Sequence, residues 1–228
     1  TASRGVSSEE MNQILSNSTV TLMKNGEKRT DIFTQDETSV DVQVKLDSSL
    51  DKTFLKIYGY AGNTSFDPDG NFNKVLWSGW VSDGFTQTCE FNASQLPLSV
   101  GYKIIACLNV LVDPETDFYR PSVSQALEVV DESGNGFEDY EYPDASIDEK
   151  ELKPGATSLH ISLTGDERLF QAAREGKTTL TVSVAQYPDG DDFDFESSDQ
   201  IFLVRLIDAT EAFSGREVTF SEPLREGY

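Results

Sequence analysis

Hydrophobic positions along this chain recur mostly at every second residue. Val40, Val42, Val44 and Leu46 alternate with Asp41, Gln43 and Lys45. Leu159, Ile161 and Leu163 alternate with His160 and Ser162, and Val182 and Val184 follow Thr181 and Ser183 in the same way. A period of two places one set of side chains on one face of a strand, so these segments read as half-buried β-strands. Clusters of Gly, Asp, Asn and Pro separate them at short intervals, the pattern of antiparallel sheets packed face to face. Helical spacing is scarce. Residues 8–15, with Met11, Ile14 and Leu15 behind Glu9 and Glu10, predict one short helix or turn, and residues 168–174 predict one more turn. The fold class expected is all-β.

The pattern occurs twice. Residues 19–27 align with 159–167, 40–46 with 180–185, and 55–60 with 202–207. The motif Leu98-x-x-Gly101-Tyr102 aligns with Leu224-x-x-Gly227-Tyr228. Between the copies, residues 131–155 hold Gly134, Gly136, Pro143 and nine acids before Leu152. The chain is thus expected to divide into a domain over 1–131, an acidic linker over 132–144 and a second domain over 145–228. The second copy stops where its equivalent of 103–112 should begin. A sandwich lacking those strands exposes a long hydrophobic edge. Three readings stay open: the chain is a fragment, the strands come from another chain by complementation, or the alignment is different.

Tyr102 precedes Lys103-Ile104-Ile105-Ala106-Cys107-Leu108. A Tyr entering a central strand of a Greek-key sandwich can fold its hydroxyl back onto upstream backbone, with Tyr102, Ile104, Ala106 and Leu108 facing the core. An ordinary amphipathic strand with a boundary Tyr is the other reading. Residues 98–108, and the opening Ser146-Ile-Asp-Glu-Lys-Glu-Leu152-Lys-Pro-Gly155-Ala-Thr, resemble tandem immunoglobulin-like or fibronectin-III-like Greek-key β-sandwich repeats of large secreted and surface proteins of bacteria. The resemblance implies two such domains, the second truncated if the repeat alignment holds. It also implies a secreted or cell-surface location and a role in spacing, display or adhesion, without catalysis.

Charge narrows the partners. The chain has 40 Asp+Glu against 18 Lys+Arg, a formal net charge of −22. Nucleic-acid binding needs a basic face to neutralise phosphates, and docking on an anionic membrane needs the same. Neither is expected. No stretch of about 18 apolar residues is present to span a bilayer. The excess lies mainly in the second half, where residues 131–228 hold 23 acids and 8 bases. The single His160 sits in an alternating strand on the side opposite Leu159 and Ile161, which leaves no set of partners for a nucleophilic triad or a zinc site. No catalytic residue is expected.

Two groups of residues are candidate sites. The loop carrying Asp189, Asp191, Asp192, Asp194 and Glu196 spaces its carboxylates as Ca²⁺ ligands can be spaced, although it lacks the closing bidentate Glu; a solvated acidic hairpin tip is the alternative. A second, weaker match to calcium-loop spacing runs from Asp67 to Asn73, and ordinary turn chemistry accounts for it equally. In the same excursion Trp77 and Trp80, with Asp69 and Asn71, could stack on a sugar ring and bond its hydroxyls. A buried strand through Val75–Val81 is the competing reading. Partners expected are therefore a protein or glycan ligand, with Ca²⁺ as the one candidate cofactor and residues 62–83 as the loop that carries specificity. Alternation places Cys89 inward and Cys107 outward, which argues against a disulfide between them.

Overall fold

The computed structural model describes residues 6–30, 32–62, 64–193 and 198–228, and only the backbone of Arg205 and Leu206. Among the described residues the fold is all-β apart from two short α-helices and two 3₁₀ turns. It forms two compact units, Thr1–Phe137 and Glu138–Tyr228.

The first unit begins with helix α1 (Ser8–Ser16), whose N-terminus is capped by Ser7: its hydroxyl accepts the Glu10 amide. Ten strands follow: β1 (Thr19–Lys24), β2 (Glu27–Lys28), β3 (Ile32–Thr34), β4 (Ser39–Lys45), β5 (Thr53–Ala61), β6 (Lys74–Val81), β7 (Thr86–Glu90), β8 (Tyr102–Asp113), β9 (Phe118–Val123) and β10 (Leu127–Val130). One sheet has the order β2-β1-β4-β7, the other β3-β10-β8-β5-β6, with β9 also on β8. All pairs are antiparallel except β3 with β10. Both sheets feed one core. Val20, Leu22, Val40, Val42 and Val44 enter it from the first sheet, and Leu55, Ile57, Ile104, Ala106, Leu108 and Val110 from the second. The alternation of β4 matches its burial residue by residue, because each polar position faces away from that core.

Several expectations change here. Residues 62–83 are not one loop, since β6 occupies 74–81. Tyr102 is half-buried at the core rim, its amide bonded to the Ser99 carbonyl and its ring 5.4 Å from the Lys74 Nζ. Among the described residues its hydroxyl has no backbone partner, so no tyrosine corner forms. The sharp entry into β8 is made instead by Gly101, at φ +92°.

The second unit holds β11 (Asp144–Ile147), β12 (Ser158–Thr164), helix α2 (Glu167–Arg174), β13 (Thr181–Gln186), β14 (Ile201–Asp208) and β15 (Phe213–Thr219). Its sheets are β11-β12-β15 and β13-β14. Asp166 caps α2, accepting the Arg168 amide at 2.9 Å, and the Arg168 guanidinium beside it holds its carboxyl well below the usual carboxylate range. The acidic segment between the repeats makes specific contacts. Tyr140 is buried with the Arg168 guanidinium over its ring, and Asp131 accepts the amides of Ser133 and Asn135.

Strand pairing also re-registers the repeat. β11 pairs β12 and β12 pairs β15, as β1 pairs β4 and β4 pairs β7; β13 pairs β14 as β5 pairs β6. The counterpart of β4 is therefore β12, not the 180–185 segment. Two hydrogen bonds fix this: Phe91 N–H donates to Thr38 O, and Phe220 N–H to Thr157 O, at 2.8 and 2.9 Å. The 98–102 and 224–228 motifs remain equivalent, each with a buried Leu followed by a positive-φ Gly.

Candidate functional site

The β5 segment Thr-Phe-Leu-Lys-Ile-Tyr-Gly-Tyr-Ala carries large apolar residues on both faces. Leu55 and Ile57 fill the core, so Phe54, Lys56, Tyr58 and Tyr60 lie on the outer face of the sheet. An outer face rich in aromatics must either be covered or remain as an apolar surface, and here it is divided. Over one half, Phe66 folds back from the 62–73 excursion onto Tyr58 and Tyr60, with ring centroids 5.5 and 5.1 Å apart. Ile105 and Cys107 complete that buried cluster.

The other half is open. Register places Trp80 opposite Phe54, Phe54 opposite Asn109, and Asn109 opposite Pro121, a continuous row across β6, β5, β8 and β9. Trp80 is 65% exposed and meets Phe54 edge-on at 5.2 Å. Beside the row stand Tyr119 and Val123, both exposed. Two lysines border it: Lys52 Nζ lies 6.0 Å from the Trp80 ring and Lys56 Nζ 5.8 Å from the Phe54 ring. The result is an exposed row of two aromatic rings set edge to face, followed by a neutral amide, Asn109, and Pro121, with cationic groups at its side. Such a strip can stack on a planar apolar or sugar face while the amide and ammoniums hydrogen-bond polar groups around it.

The expected sugar site is redistributed by this arrangement. Trp77 faces the other way: it is half-buried, packs on the core and on Phe85 at 6.1 Å, and its ring lies over Gly79. A Cβ on Gly79 would come within 2.8 Å of that ring, so the Gly makes room for it. The exposed edge of Trp77 lines an open cleft between β6 and β7 with Asn73, Glu90, Asn92 and Gln95. Trp77 and Trp80 therefore form no common platform. Asp69 and Asn71 are exposed in the 67–73 turn, where the Asp67 carboxylate accepts the Asp69 amide and the Asp67 carbonyl accepts Gly70 N–H and Asn73 Nδ2. Burial raises the pKa values of Tyr58 and Cys107, and the negative charge of Asp69 adds a smaller push in the same direction.

Of the expected calcium residues, Asp189, Asp191 and Asp192 are exposed, and Asp194 and Glu196 lie outside the described residues. The Asp189 amide donates to Gly227 O and the Asp191 amide to Pro188 O. Among the described residues no group of three or more His, Cys, Asp or Glu converges as metal ligands. His160 is 47% exposed, with Nδ1 2.7 Å from Glu149 and Nε2 3.6 Å from Glu217. Both cysteines are free and buried. Cys107 does occupy the outer face, but under Phe66 rather than in solvent, and burial pushes both thiols up to about 11.

Phe54, Asn109 and Pro121 were missed by the reading of motifs because no local motif joins them; they meet only through pairing. The available signal was β5 itself, apolar on both faces of a strand whose inner face suffices for a core. No family model matches the chain, and no curated protein matches it with significance.

Proposed function

We propose that this chain is a non-catalytic, immunoglobulin-like binding module of a secreted or cell-surface protein, and that it makes contact through the open half of the outer sheet face. The observation that carries this reading is the Trp80–Phe54–Asn109–Pro121 row, with Trp80 65% exposed. A Trp left in water on a rigid sheet loses little side-chain entropy on binding and offers a large contact area, the usual character of an interface anchor. Lys52 and Lys56 give this strip a cationic margin on a chain of net charge −22, which favours an acidic or hydroxyl-rich ligand.

A carbohydrate ligand is the second reading, and the Asn109 amide between Phe54 and Pro121 favours it, since it sits where a stacked ring would present hydroxyls. A glycan array and a panel of surface proteins, probed with the labelled chain and its Trp80→Ala variant, test both readings. Selective binding weakened at least about tenfold by Trp80→Ala, near 1.4 kcal/mol, is expected. Binding that survives Trp80→Ala unchanged places the contact elsewhere and rejects the strip.

A further inference from the structure

Phe54, Lys56, Tyr58 and Tyr60 follow one another along the outer face of β5, so Lys56 stands between the open row and the covered cluster. The cover on that cluster comes from a turn rather than a strand. Phe66 lays its ring on Tyr58 and Tyr60 at 5.5 and 5.1 Å. Asp67-Pro68-Asp69-Gly70 follows it, and the Asp67 carboxylate closes the turn by accepting the Asp69 amide at 2.9 Å. Asp69 itself is exposed. Behind the larger effect of burial, Lys56 lowers the Cys107 pKa and Asp69 raises it, so both charges bear on the thiol opposite Lys56 in the ladder. The chain thus carries its own example of how this face is covered: an aromatic ring laid on the rings of β5, with a carboxylate three residues later in electrostatic reach of the residue paired with Lys56.

The open half repeats these ingredients with its rings left exposed. Phe54 and Trp80 supply the aromatic surface, and Lys52 and Lys56 supply cations beside it. Among the described residues neither lysine is ion-paired, on a chain with 40 Asp+Glu. We propose that this half binds a peptide segment of a partner protein in which an aromatic residue is followed, three residues on, by Asp or Glu in a tight turn. The inference rests on the Trp80 row being the contact surface, and it adds the chemistry of the partner. The ring of the partner packs on Phe54 beside Trp80, and its carboxylate meets Lys52 and Lys56. A neutral sugar face would use the rings and Asn109 but leave the two ammoniums without a counter-charge. The net charge of −22 opposes an acidic partner at long range, but salt screens that repulsion beyond about 8 Å under physiological conditions, whereas the lysines act at contact.

The test uses the whole chain and the peptide Thr-Ser-Phe-Asp-Pro-Asp-Gly-Asn, together with its Tyr and Trp versions at the Phe position, followed by NMR. Saturable binding by at least one peptide is expected, shifting the Trp80 indole resonance and weakened at least about tenfold by Trp80→Ala. The double change Lys52→Gln and Lys56→Gln should weaken it about fivefold. Replacing the second Asp of the peptide by Asn should cost about the same, and the lysine variant should then lose little more. Absence of binding by all three peptides, or binding indifferent to both charge changes, would overturn the assignment. Shifts at Tyr58 and Tyr60 in place of Trp80 would show the peptide displacing Phe66 and would overturn the site. A Trp80-dependent ligand from the glycan array or protein panel that lacks such a segment would leave the contact surface standing and reject this partner; peptide binding untouched by Trp80→Ala would sink both. Trp80 shifts that grow with protein concentration without peptide would assign the partner role to the turn of a second copy of this chain.

Discussion

Two strands in equivalent places, β5 and β13, have different surroundings. β5 lies between β6 and β8, and its core residues Leu55 and Ile57 are sealed at 0% exposure. β13 has β14 on one side, and Val184 retains 6%. The sheets around them follow one plan: β4 and β12 share the same alternation of buried and exposed positions and the same pair of neighbours. The difference shows that one plan of strands can back cores of different tightness, the tightest burial falling behind a strand paired on both edges.

The largest effect should come from matched truncations. Val110→Ala, at 0% exposure, is expected to cost about 2–3 kcal/mol, and Val184→Ala about half of that, because a looser site has less packing to lose. Urea unfolding measures the first through Trp77 and Trp80, which both lie in the first unit; hydrogen exchange of β13 amides measures the second. Equal costs would break the comparison between the units. Next come the two glycines before the equivalent tyrosines. Gly101→Ala should cost about 2 kcal/mol and Gly227→Ala about 1, since both have positive φ but only a Cβ at Gly101 meets a neighbour, Phe137 at 3.0 Å. Melting temperatures of the two variants decide it, and the reverse order would show that the motifs are not equivalent.

The smallest effect concerns matched ladder positions, Asp41 on β4 and His160 on β12. Asp41 accepts the Thr88 hydroxyl across the ladder. His160 faces Glu217 across its own ladder and is bonded by Glu149, and the Glu149 carboxylate raises the His160 pKa above its ordinary 6.5. A group whose folded pKa is raised contributes stability that is full below its unfolded value and lost as pH rises through the folded one. The melting temperature should therefore fall slightly as pH rises past 6.5, and His160→Ala should flatten that slope. An NMR titration midpoint for His160 at or below 6.5 would contradict the Glu149 contact.

Some of the site was readable in advance. Trp77 and Trp80 are an odd number of residues apart, so on a regular strand they belong to opposite faces, and that alone opposes a common platform. The open strip was not readable, because Asn109 and Pro121 come to Phe54 from β8 and β9, dozens of residues away. The repeat was visible but offset by one strand. Period-two alternation is the same in every half-buried strand, so any strand aligns with any other until hydrogen bonds say which is next to which.

The sequence by itself determined the local facts: strands by alternation, two short helices behind Ser7 and Asp166, and turns at positive-φ glycines. These depend on neighbours within a few residues, where backbone sterics and side-chain period act. Tertiary structure alone decided that Phe66 covers Cys107 and leaves Trp80 bare, that Trp77 turns toward the core, and that β12 rather than β13 takes the place of β4. Each of these outcomes is set by contacts between distant strands, and a strand's own pattern states only that one face is apolar, not what will come to cover it.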